Sequence, residues 1–178
     1  MSEIETASGV RRSAVRLRKP NSDDEAEDLA AHKQMLQEDF TFATGLQENE
    51  SWSEYVSRLS FYRYGENGRW VPSTFLVAEV NGKIVGRSSI RFELDSLLAH
   101  EGGHIGYGVV SSERRKGYAT DILKQSLDIA KGAGLPRVLL TCAADNAGSA
   151  KVIQRCGGVF ESEVEAANGT LVRRYWIE

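Results

Sequence analysis

Val109-Val110-Ser111-Ser112-Glu113-Arg114-Arg115-Lys116-Gly117-Tyr118-Ala119-Thr120 is the stretch that decides the reading of this chain. A β-type run breaks into a short basic loop holding one glycine, and an amphipathic helix follows at once. The N–H groups that open a helix lack intrahelical partners and sit at the positive end of its dipole. With Arg114, Arg115 and Lys116 beside them, they form a receptor for a phosphorylated ligand. Gly117 lets the backbone approach the phosphates with no Cβ in the way. The loop is not the eight-residue nucleotide P-loop, which needs a second glycine and a Lys-Ser/Thr pair.

Upstream of the loop, residues 14–18 alternate apolar and charged and read as a short strand closed by Pro20. Ser22 with Glu25 reads as a capping box, opening a helix that runs to about Glu38. Ser51 with Glu54 repeats the signal, and Trp52, Tyr55, Leu59 and Tyr62 then share one helical face. Residues 74–80 and 83–94 flank Asn81-Gly82, a strong hairpin signal. A third strand covers about 104–110. Downstream, a helix over 117–131 stops at Gly132 and Gly134, ahead of Pro136. A buried strand at 137–141, a helix over 146–156 and two strands near 159–164 and 171–177 complete the chain. The order is β-α-α-β-β-β-α-β-α-β-β.

A length of 178 residues suits one domain with a full core, here residues 13–178 behind a flexible tail at 1–12. The net charge of −3 argues against nucleic acid, whose binders rest on a basic excess. No apolar run approaches the roughly 20 residues that span a bilayer, so no membrane partner is expected. Residues 1–12 carry no apolar signal-peptide core. Cys142 and Cys156 form neither a disulfide framework nor a metal motif, which points to a reducing cytoplasm and no metal.

Arg114-x-x-Gly117-x-Ala119 resembles the Arg/Gln-x-x-Gly-x-Gly/Ala signature of the GNAT superfamily of N-acetyltransferases, and the element order from Ala14 to Ile177 is similar to that of the GNAT fold. Residues around Gly102–Tyr107, Leu140–Cys142 and Arg174–Ile177 look like a group of bacterial acetyltransferases of undefined acceptor. The resemblance implies an α/β (α+β) domain with a mixed, mostly antiparallel central sheet of six to seven strands and about four helices. It also implies acetyl-CoA as co-substrate, held between a splayed strand pair. Tyr107, Gly108 and Val109 would line the pantetheine arm, and Arg114, Arg115, Lys116, Gly117, Tyr118, Ala119 and Thr120 would surround the pyrophosphate. Asn146, opening Asn146-Ala147-Gly148-Ser149, matches the family asparagine that meets the pantetheine amide, and Asn is also a plain helix N-cap. Lys151 and Arg155 are either solvated charges or contacts to the 3′-phosphate.

The expected reaction is direct acetyl transfer to a primary amine, in a small molecule or a peptide, by a monomer or homodimer. The alternative is an acyl-CoA-binding sensor without catalysis. Oxyanion donors must stand ready, and the resemblance assigns that role to the Val109 backbone N–H. Many relatives carry a tyrosine acid seven residues after the asparagine. Ile153 stands there, so Tyr175 or Tyr107 could take its place, or water. His104, at the start of the strand before the loop, is a candidate base by its intrinsic pKa or a hydrogen-bonded structural histidine. Gly106 and Gly108 alternate with Tyr107, which leaves one strand face bare for a backbone or ligand. Cys142 reads as a packed thiol rather than an acyl carrier. Glu38, Asp39, Glu48, Glu50 and Glu54 make the acceptor side acidic, which suits a cationic amine or simply solvates the surface.

Overall fold

The computed structural model describes residues 3–5, 11–65 and 70–178. Strands β1 (Glu3–Glu5) and β2 (Arg11–Ser13) pair antiparallel within the segment read as a tail. Residues 1–2 and 6–10 of that segment lie outside the described residues. Strand β3 (Arg16–Arg18) is followed by α1 (Glu25–Leu36), entered through a 3₁₀ turn at Ser22–Asp24. The capping box is shifted one residue from the expected pair. Asn21 accepts from the Asp23 N–H and Asp24 accepts from the Asn21 N–H. In α2 (Trp52–Phe61) the Ser51–Glu54 box forms as read.

Strands β4 (Ser73–Val80) and β5 (Lys83–Arg91) make the hairpin, with Asn81 and Gly82 at φ +51° and +79°, the left-handed pair a two-residue turn requires. Strand β6 (Ile105–Val109) leads into α3 (Tyr118–Gly132). Strand β7 (Val138–Ala143), helix α4 (Ala147–Arg155) and strands β8 (Val159–Glu165) and β9 (Leu171–Ile177) follow. Before β6 the chain makes a wide helical turn at Leu98–Gly102 that has no signature in the sequence.

Beside the β1-β2 pair, the described residues form two larger sheets, of orders β3-β4-β5-β6 and β7-β9-β8, seven strands between them, and their ladders are antiparallel. One core joins them. Leu76, Ile90 and Ile105 of the first sheet meet Leu140 and Tyr175 of the second around Leu123 and Leu127 of α3 and Ile153 of α4. Ile122 and Leu123 are fully buried, each stabilising the fold by about 1.5–3 kcal/mol. Helices α1 and α2 cover the other face, burying Met35 and Phe42 with Val77, and Trp52, Tyr55, Leu59 and Tyr62 with Phe75. The aromatic stripe of α2 is therefore core.

Candidate active site

Strands β6 and β7 touch at one end and share no ladder. At that end the His104 N–H donates to the Leu139 carbonyl at 2.8 Å. The Leu139 N–H donates to His104 Nδ1, also at 2.8 Å. The imidazole nitrogen thus takes the place of a backbone carbonyl and holds the two sheets together. His104 is only 9% exposed, and burial lowers its pKa, with the Arg91 charge adding to that.

Beyond this junction the edge of β6 is open. The Val110 N–H bonds the Val85 carbonyl, and Arg87 and Gly108 stand opposite in register. Alternation in an antiparallel ladder then turns the N–H and C=O groups of Tyr107 and Val109 the other way, toward β7. The Val109 carbonyl accepts from Arg114 Nε at 3.2 Å on this side.

The open edge runs into a cleft of about 650 Å³ that ends at the N-terminus of α3. Gly117 is the N-cap at φ +82°, and no side chain caps the helix. Arg115 is also left-handed, at φ +62°, a conformation that costs a non-glycine residue roughly 1–2 kcal/mol. Two left-handed residues so close together turn the loop backbone into an anion-binding concavity. An elongated ligand with a phosphorylated end fits such a groove.

The cleft brings together Tyr107, Gly108, Val109, Arg114, Arg115, Gly117, Tyr118, Ala119, Thr120 and Asn146. Lys116 adjoins it, its ammonium 2.7 Å from Glu113, which also pairs with Lys83 at 2.6 Å. Asn146 caps α4 by accepting from the Ser149 N–H at 3.0 Å. Lys151 and Arg155, open to either reading in the sequence, stand on the cleft wall.

The acetyltransferase (GNAT) family profile matches residues 31–158. The chain belongs to the GNAT acetyltransferase family. No curated relative matches the sequence. Among solved structures it is similar to Mycobacterium smegmatis RimJ in complex with CoA-disulfide (23% identity, TM-score 0.66, 92% of this chain and 81% of that one). It is also similar to the microcin C7 self-immunity acetyltransferase MccE in complex with acetyl-CoA and AMP (20%, TM-score 0.65, 97% of both). A third is yncA, a putative acetyltransferase from Salmonella typhimurium with its cofactor acetyl-CoA (17%, TM-score 0.60, 93% and 94%). At these identities the likeness is one of fold.

This GNAT chain keeps its phenols and thiols in distinct settings. Tyr107 lines the cleft with its hydroxyl 2.9 Å from Ser149 Oγ, and burial pushes its pKa up to about 12. Tyr175 is 2% exposed, packed between the sheets against Phe160 and outside the cleft lining, as is His104. Ile153 is fully buried in the same core, away from the cleft. Burial raises the Cys142 thiol pKa, so it is a packed hydrophobe.

Met35, Glu38 and Phe40 also line the cleft, although no motif marks them. Glu38 accepts from Arg114 Nη2 at 2.6 Å and from the Ser111 hydroxyl. Glu50 is held by Arg58 at 2.6 Å, and Glu54 caps α2. Three of the five acids expected to colour the acceptor side are thus already engaged. Among the described residues, no group of His, Cys, Asp and Glu could hold a metal, and no helix is long and apolar enough to cross a membrane.

Proposed function

We propose that this GNAT chain transfers the acetyl group of acetyl-CoA directly to a primary amine of a small molecule or peptide. One observation carries the reading: the open edge of β6 leads straight to an uncapped helix N-terminus behind two left-handed residues. Acetyl-CoA, when bound, supplies the activated thioester. Tyr107, Gly108 and Val109 would align its pantetheine arm along the edge, with Asn146 across from them on α4. Arg114 through Thr120 would hold the pyrophosphate by charge-assisted bonds, which are stronger than neutral ones. The Val109 N–H, turned to the open side, is the donor for charge developing on the carbonyl oxygen.

Tyr107 is the group we assign to the departing sulfur. Its pKa of about 12 keeps it protonated. Because a thiol has a pKa near 8.5, full proton transfer from the phenol is uphill, so Tyr107 serves the thiolate as a hydrogen-bond donor and water supplies the proton. The contacts of His104 favour a structural task over that of base, and those of Tyr175 favour packing over that of acid. The raised Cys142 pKa supports direct transfer over an acetyl-cysteine. The free thiols Cys142 and Cys156 fit action in a reducing cytoplasm. The test is release of CoA from acetyl-CoA in the presence of a broad amine panel. Binding of acetyl-CoA with no release on any amine would turn the reading toward a sensor.

A further inference from the structure

The face of β5 and β6 turned toward α1 and α2 carries an uncompensated charge. On β6 the bare positions are Gly106, where a Cβ would lie 3.0 Å from Ser89 Oγ, and Gly108, where it would run into the Phe40 ring. Opposite Gly108 on β5 stands Arg87. Its Nη2 donates to the Thr41 carbonyl at 2.9 Å, at the surface. Its Nε and Nη1 are buried with no hydrogen-bond partner among the described residues. The Phe40 ring covers one side of the guanidinium, 4.7 Å from Cζ to centroid.

The nearest buried acid does not answer this charge. Asp28 of α1 is 4% exposed, and among the described residues its Oδ1 also lacks a partner. Burial first, and then Asp24, push the Asp28 carboxyl up to about 7 against the pull of Arg87. Its charged form is therefore disfavoured. Burial pushes Arg87 down to about 10, which still leaves it a cation. Arg91 on the same strand adds positive charge and already donates to the Gly103 carbonyl at 3.1 Å. His32, whose Nδ1 accepts from the Ala43 N–H, has its pKa lowered by burial and by Arg87. The Tyr55 hydroxyl donates to the Thr44 carbonyl. A buried cation with open donors, beside an acid whose charged form burial disfavours, is costly unless an anion arrives.

We propose that Arg87 is the specificity residue of the acceptor site, taking a carboxylate that lies within a few bonds of the amine to be acetylated, as in a free α-amino acid. The inference rests on the acetyltransferase reading above. Position supports it: Phe40 is a wall shared by the guanidinium and the cofactor cleft, and Arg87 faces the strand whose edge would hold the thioester. An acceptor anchored at Arg87 would present its amine toward that strand.

The experiment compares kcat/KM for free L-amino acids with kcat/KM for the matching amines that lack the carboxylate. A second arm pairs peptides that begin with Asp or Glu with those that begin with Asn or Gln, separating a main-chain from a side-chain carboxylate. We expect a preference of about tenfold or more for the carboxylated member in one arm, carried by KM, as for one charged hydrogen bond. Arg87→Gln should erase that preference with acetyl-CoA affinity unchanged, and Arg87→Lys should restore part of it, with melting curves verifying that both variants fold. Equal use of the paired substrates, or a preference that survives Arg87→Gln, overturns the inference and leaves the acetyltransferase reading intact. Should no pair turn over, the Arg87 Nε–Hε NMR signal is titrated with L-amino acids in the presence of acetyl-CoA. A saturable shift keeps the anion site while sinking the enzymatic reading, and an unmoved signal removes both.

Discussion

The two walls of the active-site region are built by opposite means. On the cofactor wall, β6 and the loop into α3 offer backbone: an open strand edge, an uncapped helix N-terminus and two left-handed residues. On the wall we propose for the acceptor, α1, the loop after it and β5 offer side chains: Phe40, Arg87 and Asp28. Backbone geometry changes little when surrounding side chains are exchanged, which suits a ligand common to a family. Side chains are exchanged freely, which suits the partner that differs from one member to the next. The lesson is that family membership is read from the first wall and substrate from the second.

Tyr107 lines the same cleft with a side chain that we assign to the departing sulfur, so its removal is the sharpest probe of that division. Tyr107→Phe should lower kcat by about tenfold to a hundredfold, the loss of a hydrogen bond to a charged group worth about 1.5–3 kcal/mol. Acetyl-CoA affinity by calorimetry should hold. An unchanged kcat would leave the whole wall to backbone.

Gly117→Val tests the backbone directly. A β-branched residue resists the left-handed φ of +82°, so acetyl-CoA affinity should fall by about tenfold, roughly 1.4 kcal/mol. Full affinity would remove the loop from the phosphate site.

His104→Leu probes the junction where the walls begin to part. It strips the acceptor from the buried Leu139 N–H and should cost about 1–3 kcal/mol of stability by denaturant titration. The acid limb of the pH–rate profile should stay in place. A lost limb with stability preserved would return His104 to the role of base.

The last test reads stability against pH and concerns Asp28 on the proposed acceptor wall. Its folded pKa of about 7 lies above the ordinary 3.8, so the fold binds this proton more tightly than the unfolded chain. Its contribution is fully present below pH 3.8 and is lost as pH rises through about 7. The melting temperature of Asp28→Asn relative to the parent should therefore climb between pH 4 and pH 8. A flat difference would mean that Asp28 is solvated and Arg87 has its counter-ion.

Ile153 shows where a family register misleads. Counting from Asn146 puts it at the position of a common proton donor, yet the side chain is fully buried between α4 and the sheets. A tyrosine there would overpack the core, at roughly 1–3 kcal/mol, instead of meeting the cofactor. Of the two tyrosines that do line the cleft, Tyr118 opens α3 and Tyr107 comes from β6. Alternation with Gly106 and Gly108 marked that strand but said nothing of which neighbour its tyrosine would meet.

What the sequence determined by itself was local. Helix caps at Ser51, the Asn81-Gly82 turn, the stripe of α3 and the chemistry of the 114–117 loop all depend on residues within a few positions of one another. The order of such elements was enough to imply the fold. The tertiary structure decided everything that joins distant positions. It turned a capping box by one residue, made His104 a link between two sheets, and brought Glu38 onto Ser111, 73 residues away. It also left buried atoms of Arg87 and Asp28 without hydrogen-bond partners among the described residues. Periodicity fixes which face of an element is apolar, whereas partners, burial and the pKa values that follow from burial exist only once two faces have packed.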